Sequence, residues 1–402
     1  MNRSNTFKII FKHPEVVIDK AIGCATLWNK LNYRRRQSFF EGEINWEAKD
    51  FYDEFKGWIG SATAQQIVRK NFNAWKAFFV LLKQKAKGAL PPHIRKVKPP
   101  GYWKNRDTGE LKLIYIVKCQ NYKIEGRKIT FPFKLKGRIK GKPRWGGKQG
   151  ELELIYNGKH WIAHQSIETE QINQISGHAK AYVDIGVRYP ITAVIDGRDT
   201  SIAYSGNGML SDWWYWNRRI AEHQSTLKYV NNRHTSKRLK MLYRTRTMRH
   251  RDAVNKLVYS FVQECIKHSI SEIFAGDLTG IRDNGSKGKK SNMMINNFWS
   301  HKYLIDRLTY TAENYGISVK LVDERGTSSV CPKCNSKSII KRGRLFKCKS
   351  CKFEAHRDAV GAINISIAQN GQCGNWLMAQ PEVVNEFSTS FHSNNLKGIS
   401  VL

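Results

Sequence analysis

The stretch "AYVDIGVRYPITAVIDGRDTSIAYSG", residues 181–206, decides the fold of the second half of the chain. It contains three short apolar runs separated by turn signals, one of them the Asp196-Gly197-Arg198-Asp199 segment. This pattern predicts three consecutive β-strands. Asp184 follows the first apolar run, where a buried carboxylate is costly unless it binds a cation or another partner. Asp184 is therefore a candidate functional residue.

The segments that follow these strands extend the pattern. Residues 210–270 look mainly helical, "SEIFAGDLTG" (271–280) and "ISVKLVDE" (317–324) look like buried strands, and "HRDAVGAINISIA" (356–368) looks like a final helix. A ribonuclease H-like fold has this order of elements: three strands, a helix, a strand, a helix, a strand and a helix. Asp358 lies at the start of the last helix, where the alternative to a catalytic role is a helix cap.

Four of the eight cysteines form the array C-x2-C-x13-C-x2-C, made of Cys331, Cys334, Cys348 and Cys351. This spacing is typical of a zinc ribbon, in which four thiolates bind Zn²⁺ tetrahedrally and leave no open coordination position. The alternative, four unrelated buried thiols, would require a coincidence of spacing. We expect a structural zinc ion that does no chemistry itself.

The first half of the chain divides into a helical and a β-rich part. Residues 6–11 predict a short strand, and the spacing of Ala64, Ile67 and Trp75 is that of a helix with a buried face. From residue 95 onward Pro and Gly punctuate short β-rich runs. Residues 95–148 contain 17 basic and 3 acidic side chains. We expect a small basic β-barrel that contacts nucleic-acid backbone.

The net charge indicates a polyanionic partner. The chain has 68 Lys and Arg against 33 Asp and Glu, which gives a formal charge of +35. Nucleic acid is the default ligand for such a surface. No stretch approaches the roughly 20 apolar residues of a membrane span, and the N-terminus lacks the apolar region of a signal peptide. We therefore expect an intracellular protein.

Two basic clusters are candidates for nucleic-acid contact. The first recurs at every second residue, as one face of a strand would: Lys134, Lys136, Arg138, Lys140, Lys142 and Arg144. The second crowds a helical segment without any acidic residue: Arg233, Lys237, Arg238, Lys240, Arg244, Arg246 and Arg249. A solvated helix face is the alternative for the second cluster.

The ordered motifs "YVDIG", "IFAGDLTGIR", "VDERGTSSVCPKC" and "CKSCKFEAHRDAVGAINI" resemble those of the TnpB family. These are transposon-encoded RNA-guided DNA endonucleases related to type V CRISPR effectors. The resemblance covers residues 178–366 and includes "NNFWSHKYLIDRLTYTAENYGISV". It implies a RuvC-like nuclease with a zinc-bearing target-nucleic-acid-binding insertion, catalytic Mg²⁺ or Mn²⁺, a guide RNA from the transposon end, and double-stranded target DNA. It also implies a prokaryotic cytoplasmic location near the nucleoid.

The resemblance predicts an α/β and β multidomain chain with the following segments. They are a wedge-like basic β domain (1–12 and 95–175), a helical recognition domain (13–94), a RuvC-like nuclease (176–329), the zinc ribbon (330–352), the last nuclease helix (353–370), and a flexible tail (371–402). By motif position, Asp184 and Asp358 match the first and last catalytic aspartates.

The second nuclease motif departs from the family pattern. Many relatives have Glu-Asp-Leu where this chain has Gly276-Asp277-Leu278, so the usual glutamate is missing. Strand alternation turns Asp277 away from the metals, and a carboxylate at the end of the next strand can reach the vacant space. We select Glu324, with Asp277 as the alternative. A solvated acid at a strand end is the other interpretation of Glu324.

Three functions remain open from the sequence. The first is RNA-guided DNA cleavage by two divalent ions about 4 Å apart. The second is a transposase on the same fold, although no helix-turn-helix is evident. The third is a non-cleaving RNA-guided or zinc-ribbon DNA-binding regulator, which the missing glutamate at Gly276 favours.

Overall fold

The computed structural model describes residues 2–90, 94, 96–105, 108–170, 172–278, 288–324, 326–370 and 376–385. The chain forms two compact units, residues 1–171 and 172–402. Each unit is described by itself. Within the described ranges, no helix has the length and apolar character needed to cross a membrane.

In its described residues, the first unit combines three α-helices with seven strands. In chain order the elements are β1 (Asn2–Phe11), α1 (Pro14–Phe40), α2 (Lys49–Ile59), α3 (Ser61–Ala86), β2 (Ile114–Val117), β3 (Lys123–Glu125), β4 (Lys128–Thr130), β5 (Lys136–Lys140), β6 (Lys148–Tyr156) and β7 (Trp161–Glu168). Pro14 occupies the first turn of α1, where its missing N–H costs nothing.

The seven strands form an antiparallel sheet in the order β2-β6-β7-β1-β5-β4-β3. Its edge strands, β2 and β3, do not pair with each other in the described part of the unit, so the sheet is open. The expected barrel is therefore present only in part, as an open half-barrel sheet. Side chains alternate along β7 between buried and exposed, which gives the sheet one apolar face.

One hydrophobic core joins the helices to this sheet. It includes Leu27 and Leu31 of α1, Ile67 of α3, Tyr115 of β2 and Leu154 of β6, all fully buried. The two domains predicted from the sequence for this half of the chain thus pack around a shared interior, which explains why they form one compact unit.

The second unit alternates strands and helices. Its elements are β8 (Lys180–Asp184), β9 (Ile191–Ile195), β10 (Ile202–Tyr204), α4 (Asn207–Asn231), α5 (Lys237–Lys267), β11 (Glu272–Asp277), α6 (Lys289–Met293), α7 (His301–Glu313), β12 (Ser318–Asp323), β13 (Ile339–Arg342), β14 (Leu345–Cys348), β15 (Glu354–His356), α8 (Arg357–Asn370) and β16 (Glu382–Val384). This is the order of strands and helices that the sequence predicts, with β13–β15 inserted before the last helix.

Six of these strands form one sheet in the order β12-β11-β8-β9-β10-β16. Strands β12, β11 and β8 are parallel, while β9 runs antiparallel to β8 and β10. Val183 and Ala275 point into a core shared with α5 and α7. Tyr182 and Phe274 point to the opposite face, where they pack against Ala362 of α8. The sheet is therefore covered on both faces.

The inserted strands β13, β14 and β15 form a separate antiparallel sheet. The predicted ribbon boundary at residue 352 is too early, because Glu354–His356 pairs with β14 and α8 begins at Arg357. The last helix is correspondingly shorter than the predicted 353–370 segment. Ribbon sheet and helix thus meet directly at residues 356 and 357.

Part of the predicted flexible tail is ordered. Residues 382–384 form β16, which pairs in parallel with β10, and the Ser205 N–H donates to the Val384 carbonyl at 2.9 Å. The Glu382 carboxylate forms a 2.7 Å ion pair with the guanidinium of Arg198. The prediction is therefore wrong for residues 376–385. Residues 371–375 and 386–402 lie outside the described residues.

Candidate active site and metal centre

The parallel strands place the predicted carboxylates on one face of the sheet. Val183 is the register partner of Ala275, and Gly276 is the register partner of Val322. Paired residues share a face and side chains alternate along a strand. Asp184, Gly276 and Glu324 therefore belong to the same face, the one that α8 covers. Asp358 lies in the first turn of α8.

Glu324 fills the space that Gly276 leaves. A Cβ atom placed on Gly276 would lie 1.8 Å from Oε2 of Glu324, closer than any non-bonded contact allows. The structure thus brings Glu324 to the position suggested by the sequence. Asp277, the alternative residue, is the register partner of Asp323, and alternation places both on the other face.

A second glycine makes room for Asp184. A Cβ atom on Gly361 of α8 would lie 2.5 Å from Oδ1 of Asp184. Only glycine lets the helix approach this carboxylate so closely. Gly361 is thus part of the site, although nothing in the sequence pattern distinguishes it from an ordinary helix-interior glycine.

The environments of Asp184 and Glu324 disfavour their ionised forms. Burial raises the pKa of Asp184 well above its usual range, and the neighbouring carboxylates of Glu324 and Asp358 add to this effect. Arg357 and Arg344 act in the opposite direction. Burial, followed by Asp277 and Asp323, raises the pKa of Glu324 to about 7. Oε2 of Glu324 is buried without a hydrogen-bond partner. These are the conditions that a bound cation would relieve.

Asp358 is paired with an arginine that the sequence analysis missed. Asp358 is only 6 % exposed, and Nη1 of Arg344 donates to its two carboxylate oxygens at 2.7 and 2.6 Å. Arg344 lies in the turn between β13 and β14, so the ribbon brings it to α8. The position of Arg344 in a basic hairpin did not predict this contact, because the contact depends on how the ribbon packs against α8.

The carboxylates are close neighbours but not tightly gathered. Among the residues that the structure describes, only the four cysteines form a group of three or more possible metal ligands within 4.8 Å of one another. Asp184, Glu324 and Asp358 share one face but do not form such a group.

The four cysteines form a possible metal centre. The Sγ atoms of Cys331 and Cys351 are 3.6 Å apart, and those of Cys334 and Cys348 are 3.5 Å apart. A tetrahedron with Zn–S bonds of about 2.3 Å has edges of about 3.8 Å, so the spacing fits zinc.

The two cysteine pairs are held by matching turns. The Cys331 N–H donates to the Ser336 carbonyl, and the Cys348 N–H donates to the Phe353 carbonyl, each to the fifth residue onward. Asn335 and Lys352 follow the second cysteine of each pair with φ values of 59° and 60°. Two copies of one local turn thus set all four sulfur atoms.

The basic cluster of the first unit is only partly a strand face. Lys136, Arg138 and Lys140 lie on one face of β5, but Lys134 has a φ of 55° in the preceding turn. Lys142 and Arg144 follow the end of the strand. The predicted alternation along a strand is therefore wrong for Lys134, Lys142 and Arg144. All six side chains are nevertheless exposed.

Neighbouring strands add to this basic face. Lys8 of β1 is the register partner of Lys140, and Lys128 of β4 is the register partner of Arg138. Desolvation, followed by Lys140 and Lys159, lowers the pKa of Lys8. Like charges directly opposite each other are unfavourable in a sheet, so this face is suited to bind a polyanion.

The second basic cluster is less uniform than the sequence suggests. Arg233 lies in the turn before α5 and not on a helix. Arg249 forms a 2.6 Å ion pair with Asp212 of α4, and Arg246 donates to Asn217. These two arginines are half-buried and stabilise the α4–α5 pair. Lys237, Arg238, Lys240 and Arg244 lie on α5 and are exposed.

Comparison with known proteins defines the class first. The chain has the multidomain α/β fold of the Cas12 effectors. It superposes with a TM-score of 0.52 and 14 % identity on a solved Cas12f1–sgRNA–target DNA complex, over 88 % of this chain and 83 % of that one. A family profile described as "Cas12f1-like, TNB domain" matches residues 301–365, and one described as "Probable transposase" matches residues 164–282.

Sequence relatives then give the family. A TnpB-like protein of Acidianus two-tailed virus is 30 % identical over an alignment of 380 residues that covers 85 % of this chain and 80 % of the relative. The endodeoxyribonuclease Cas12f1 of Sulfoacidibacillus thermotolerans is 34 % identical over 120 residues, 29 % of this chain and 27 % of that one. The chain belongs to the TnpB-like family.

Proposed function

We propose that this protein is a transposon-associated, RNA-guided DNA endonuclease with a RuvC-like, ribonuclease H-like active site. The observation that supports this most is the convergence of Asp184, Glu324 and Asp358 on the sheet face covered by α8. These side chains come from two strands and a helix that are far apart in sequence. Such an arrangement serves phosphodiester hydrolysis with divalent cations.

The three carboxylates are the residues that would hold Mg²⁺ or Mn²⁺. Both are hard cations that prefer oxygen ligands. When bound, they would activate water and stabilise negative charge that develops on the phosphate. The unpartnered Oε2 of Glu324 and the raised pKa of Asp184 support this assignment, because a bound cation would partner the first and offset the burial that Arg357 and Arg344 do not fully offset at the second.

Arg344 would act beside these carboxylates as a positioning residue. It fixes the Asp358 carboxylate through contacts of 2.6 and 2.7 Å. It also brings a positive charge to the face where the phosphodiester would lie. The ribbon would thereby contribute directly to the site while its four cysteines hold a structural zinc ion.

Guide RNA and target DNA are the proposed partners. The Cas12f1 structure named above is a complex with sgRNA and target DNA. The basic face around Lys136, Arg138 and Lys140 and the exposed cations of α5 offer this chain matching electrostatic surfaces. Target sequence would be read by base pairing with the guide, and the protein would read a short flanking motif.

The test is cleavage by the protein purified with its co-expressed RNA. That RNA is sequenced, and a plasmid library that matches its 3′ end is supplied with Mg²⁺. Guide-dependent cuts are expected. Glu324→Gln should abolish cutting while Asp277→Asn, a matched control one register row away, retains it. The reverse result would show that Asp277 and not Glu324 supplies the third carboxylate.

Two alternatives are resolved by the same reaction. A non-cleaving regulator is favoured by the Arg344 pair on Asp358, because the guanidinium contacts both oxygens of a proposed metal ligand. It would bind the matched plasmids without cutting them. A transposase is favoured by the "Probable transposase" profile over residues 164–282, and it would yield joined DNA ends.

A further inference from the structure

The helical part of the first unit contains a cavity of about 450 Å³ between α1, α2 and α3. Its volume lies in the range of about 300–1,000 Å³ that is usual for small-molecule sites. Its lining combines three aromatic rings with three cations and no carboxylate. These are Trp46, Tyr52 and Phe72, together with Arg35, Lys49 and Arg69.

Arg35 is a buried cation without an anionic partner. Its side chain is 1 % exposed, and Nη1 donates to Oδ1 of Asn71 at 2.6 Å. Its Nε has no hydrogen-bond partner, and its guanidinium lies 5.3 Å from the centre of the Trp46 ring. No carboxylate of the described residues forms an ion pair with it within 4.0 Å. A buried charge of this kind is costly unless something compensates it.

Asp50, the neighbour of the lining residue Lys49, is already paired with another arginine. Asp50 of α2 accepts hydrogen bonds from both terminal nitrogens of Arg34, at 2.8 and 2.5 Å. Burial, followed by the charge of Arg34, lowers the pKa of Arg35 to about 10. The interior of this unit therefore leaves Arg35 with a positive charge that no residue of the cavity neutralises.

The rim of the cavity adds two more cations. Lys49 and Arg69 are exposed, and neither forms an ion pair among the described residues. The charge of Arg69 acts to lower the pKa of Glu151 on β6, but the two residues are not within ion-pair distance of each other. Trp46 is 38 % exposed and packs edge-on to Phe72, with ring centres 4.9 Å apart. Aromatic surface and positive charge thus face the same space.

We propose that this cavity binds a nucleoside phosphate, with the base stacked on the aromatic rings and the phosphate attracted by Arg35, Lys49 and Arg69. An inorganic anion would use the cations but leave the rings without a role. Bases stack on aromatic side chains whatever their sequence, and arginine is well suited to phosphate. The nucleotide has two possible sources. It is either a nucleotide unstacked from a bound strand or a free mononucleotide, and only the first source rests on the proposed function.

The test is calorimetric titration of the full-length protein with AMP, adenosine and inorganic phosphate. AMP is expected to bind more tightly than either fragment. Trp46→Ala is expected to weaken AMP binding by about 5- to 150-fold, the usual value of one base–aromatic stack. Arg35→Met should weaken AMP and phosphate alike. Arg36→Met is the matched control, because Arg36 lies on the same helix, does not line the cavity and donates to the Pro100 carbonyl.

Thermal unfolding separates a ligand-binding role of Arg35 from a purely structural one. If the cavity binds an anion, AMP should raise the unfolding temperature of wild type but not of Arg35→Met, whatever the unfolding temperature of the variant without ligand. Unchanged AMP affinity in both Arg35→Met and Trp46→Ala would overturn the proposal. Trp46→Ala alone remains decisive if Arg35→Met does not fold, since Trp46 is partly exposed.

A single-stranded hexanucleotide identifies the source of the nucleotide. If it displaces AMP from wild type, the site takes a nucleotide from a strand. If AMP binds but is not displaced, the site takes a free nucleotide. Asp184→Asn should bind AMP as wild type does. AMP binding therefore tests the cavity independently of the proposed cleavage activity.

Discussion

The ribbon and the carboxylate face are two candidate metal sites of the same unit, built in different ways. The ribbon collects four sulfur atoms within 4.8 Å from two copies of one short turn. The carboxylate face collects acids from the end of β8, the residue after β12 and the first turn of α8, and they do not form such a group. Local backbone geometry sets the four sulfur atoms, whereas the position of each carboxylate depends on how elements distant in sequence pack against one another. We expect metal to be structural in the first site and exchangeable in the second.

The largest effect is expected from removing a ribbon ligand. Cys331→Ser should lose the zinc ion and unfold the ribbon, because structural zinc sites contribute about 10–16 kcal/mol in isolated zinc-finger peptides. Metal content per chain by plasma mass spectrometry and protease sensitivity of residues 330–356 measure this. Cys265→Ser, at a buried cysteine outside the array, is the control that should keep the zinc.

The next effect is expected at Gly276. Gly276→Ala places a Cβ atom where Oε2 of Glu324 lies, so the carboxylate must move. Cleavage should fall by about 10²- to 10³-fold, the equivalent of several kcal/mol of transition-state stabilisation. Gly57→Ala, where the added Cβ meets nothing within 4 Å, is the matched control. Full activity of Gly276→Ala would contradict a requirement for the carboxylate of Glu324 at this position.

A smaller effect is expected at Arg344. Arg344→Gln leaves the carboxylate of Asp358 buried without its charged partner, which should destabilise the metal-free protein by about 1–3 kcal/mol in urea unfolding. Mg²⁺ should restore more stability to the variant than to wild type, since the ion no longer competes with the guanidinium. An equal response to Mg²⁺ in both proteins would contradict the assignment of Asp358 as a ligand.

The smallest effect is a dependence of stability on pH. The pKa of Glu324 is about 7 in the folded chain and lower when the chain is unfolded, so the folded state holds its proton longer. In EDTA, stability should therefore decrease as pH rises from about 4.5 to 7. Glu324→Gln should reduce this slope, and Asp184, whose pKa is also raised, should account for part of the remainder. Mg²⁺ affinity should increase over the same range.

The sequence predicts features that depend on short-range rules. Cysteine spacing predicts the ribbon cluster, and strand alternation predicts that Glu324 and not Asp277 shares a face with Asp184. The roles of these residues stay predictions. Contacts between distant segments were not predictable. Arg344 reaches Asp358 only because the ribbon folds back, Arg249 pairs with Asp212 across two helices, and β16 pairs with β10 from a segment without periodicity.

The contact between Gly276 and Glu324 also constrains how such a site can change over generations. A side chain at position 276 and the glutamate at 324 exclude each other, so the fitness effect of either substitution depends on the residue at the other position. Replacing Gly276 by Glu would be harmful here but tolerable after Glu324→Gly. A carboxylate can thus migrate between adjacent strands only by paired substitution. A sequence comparison that inspects only the second nuclease motif, Gly276-Asp277-Leu278, would conclude that this chain lacks the third carboxylate.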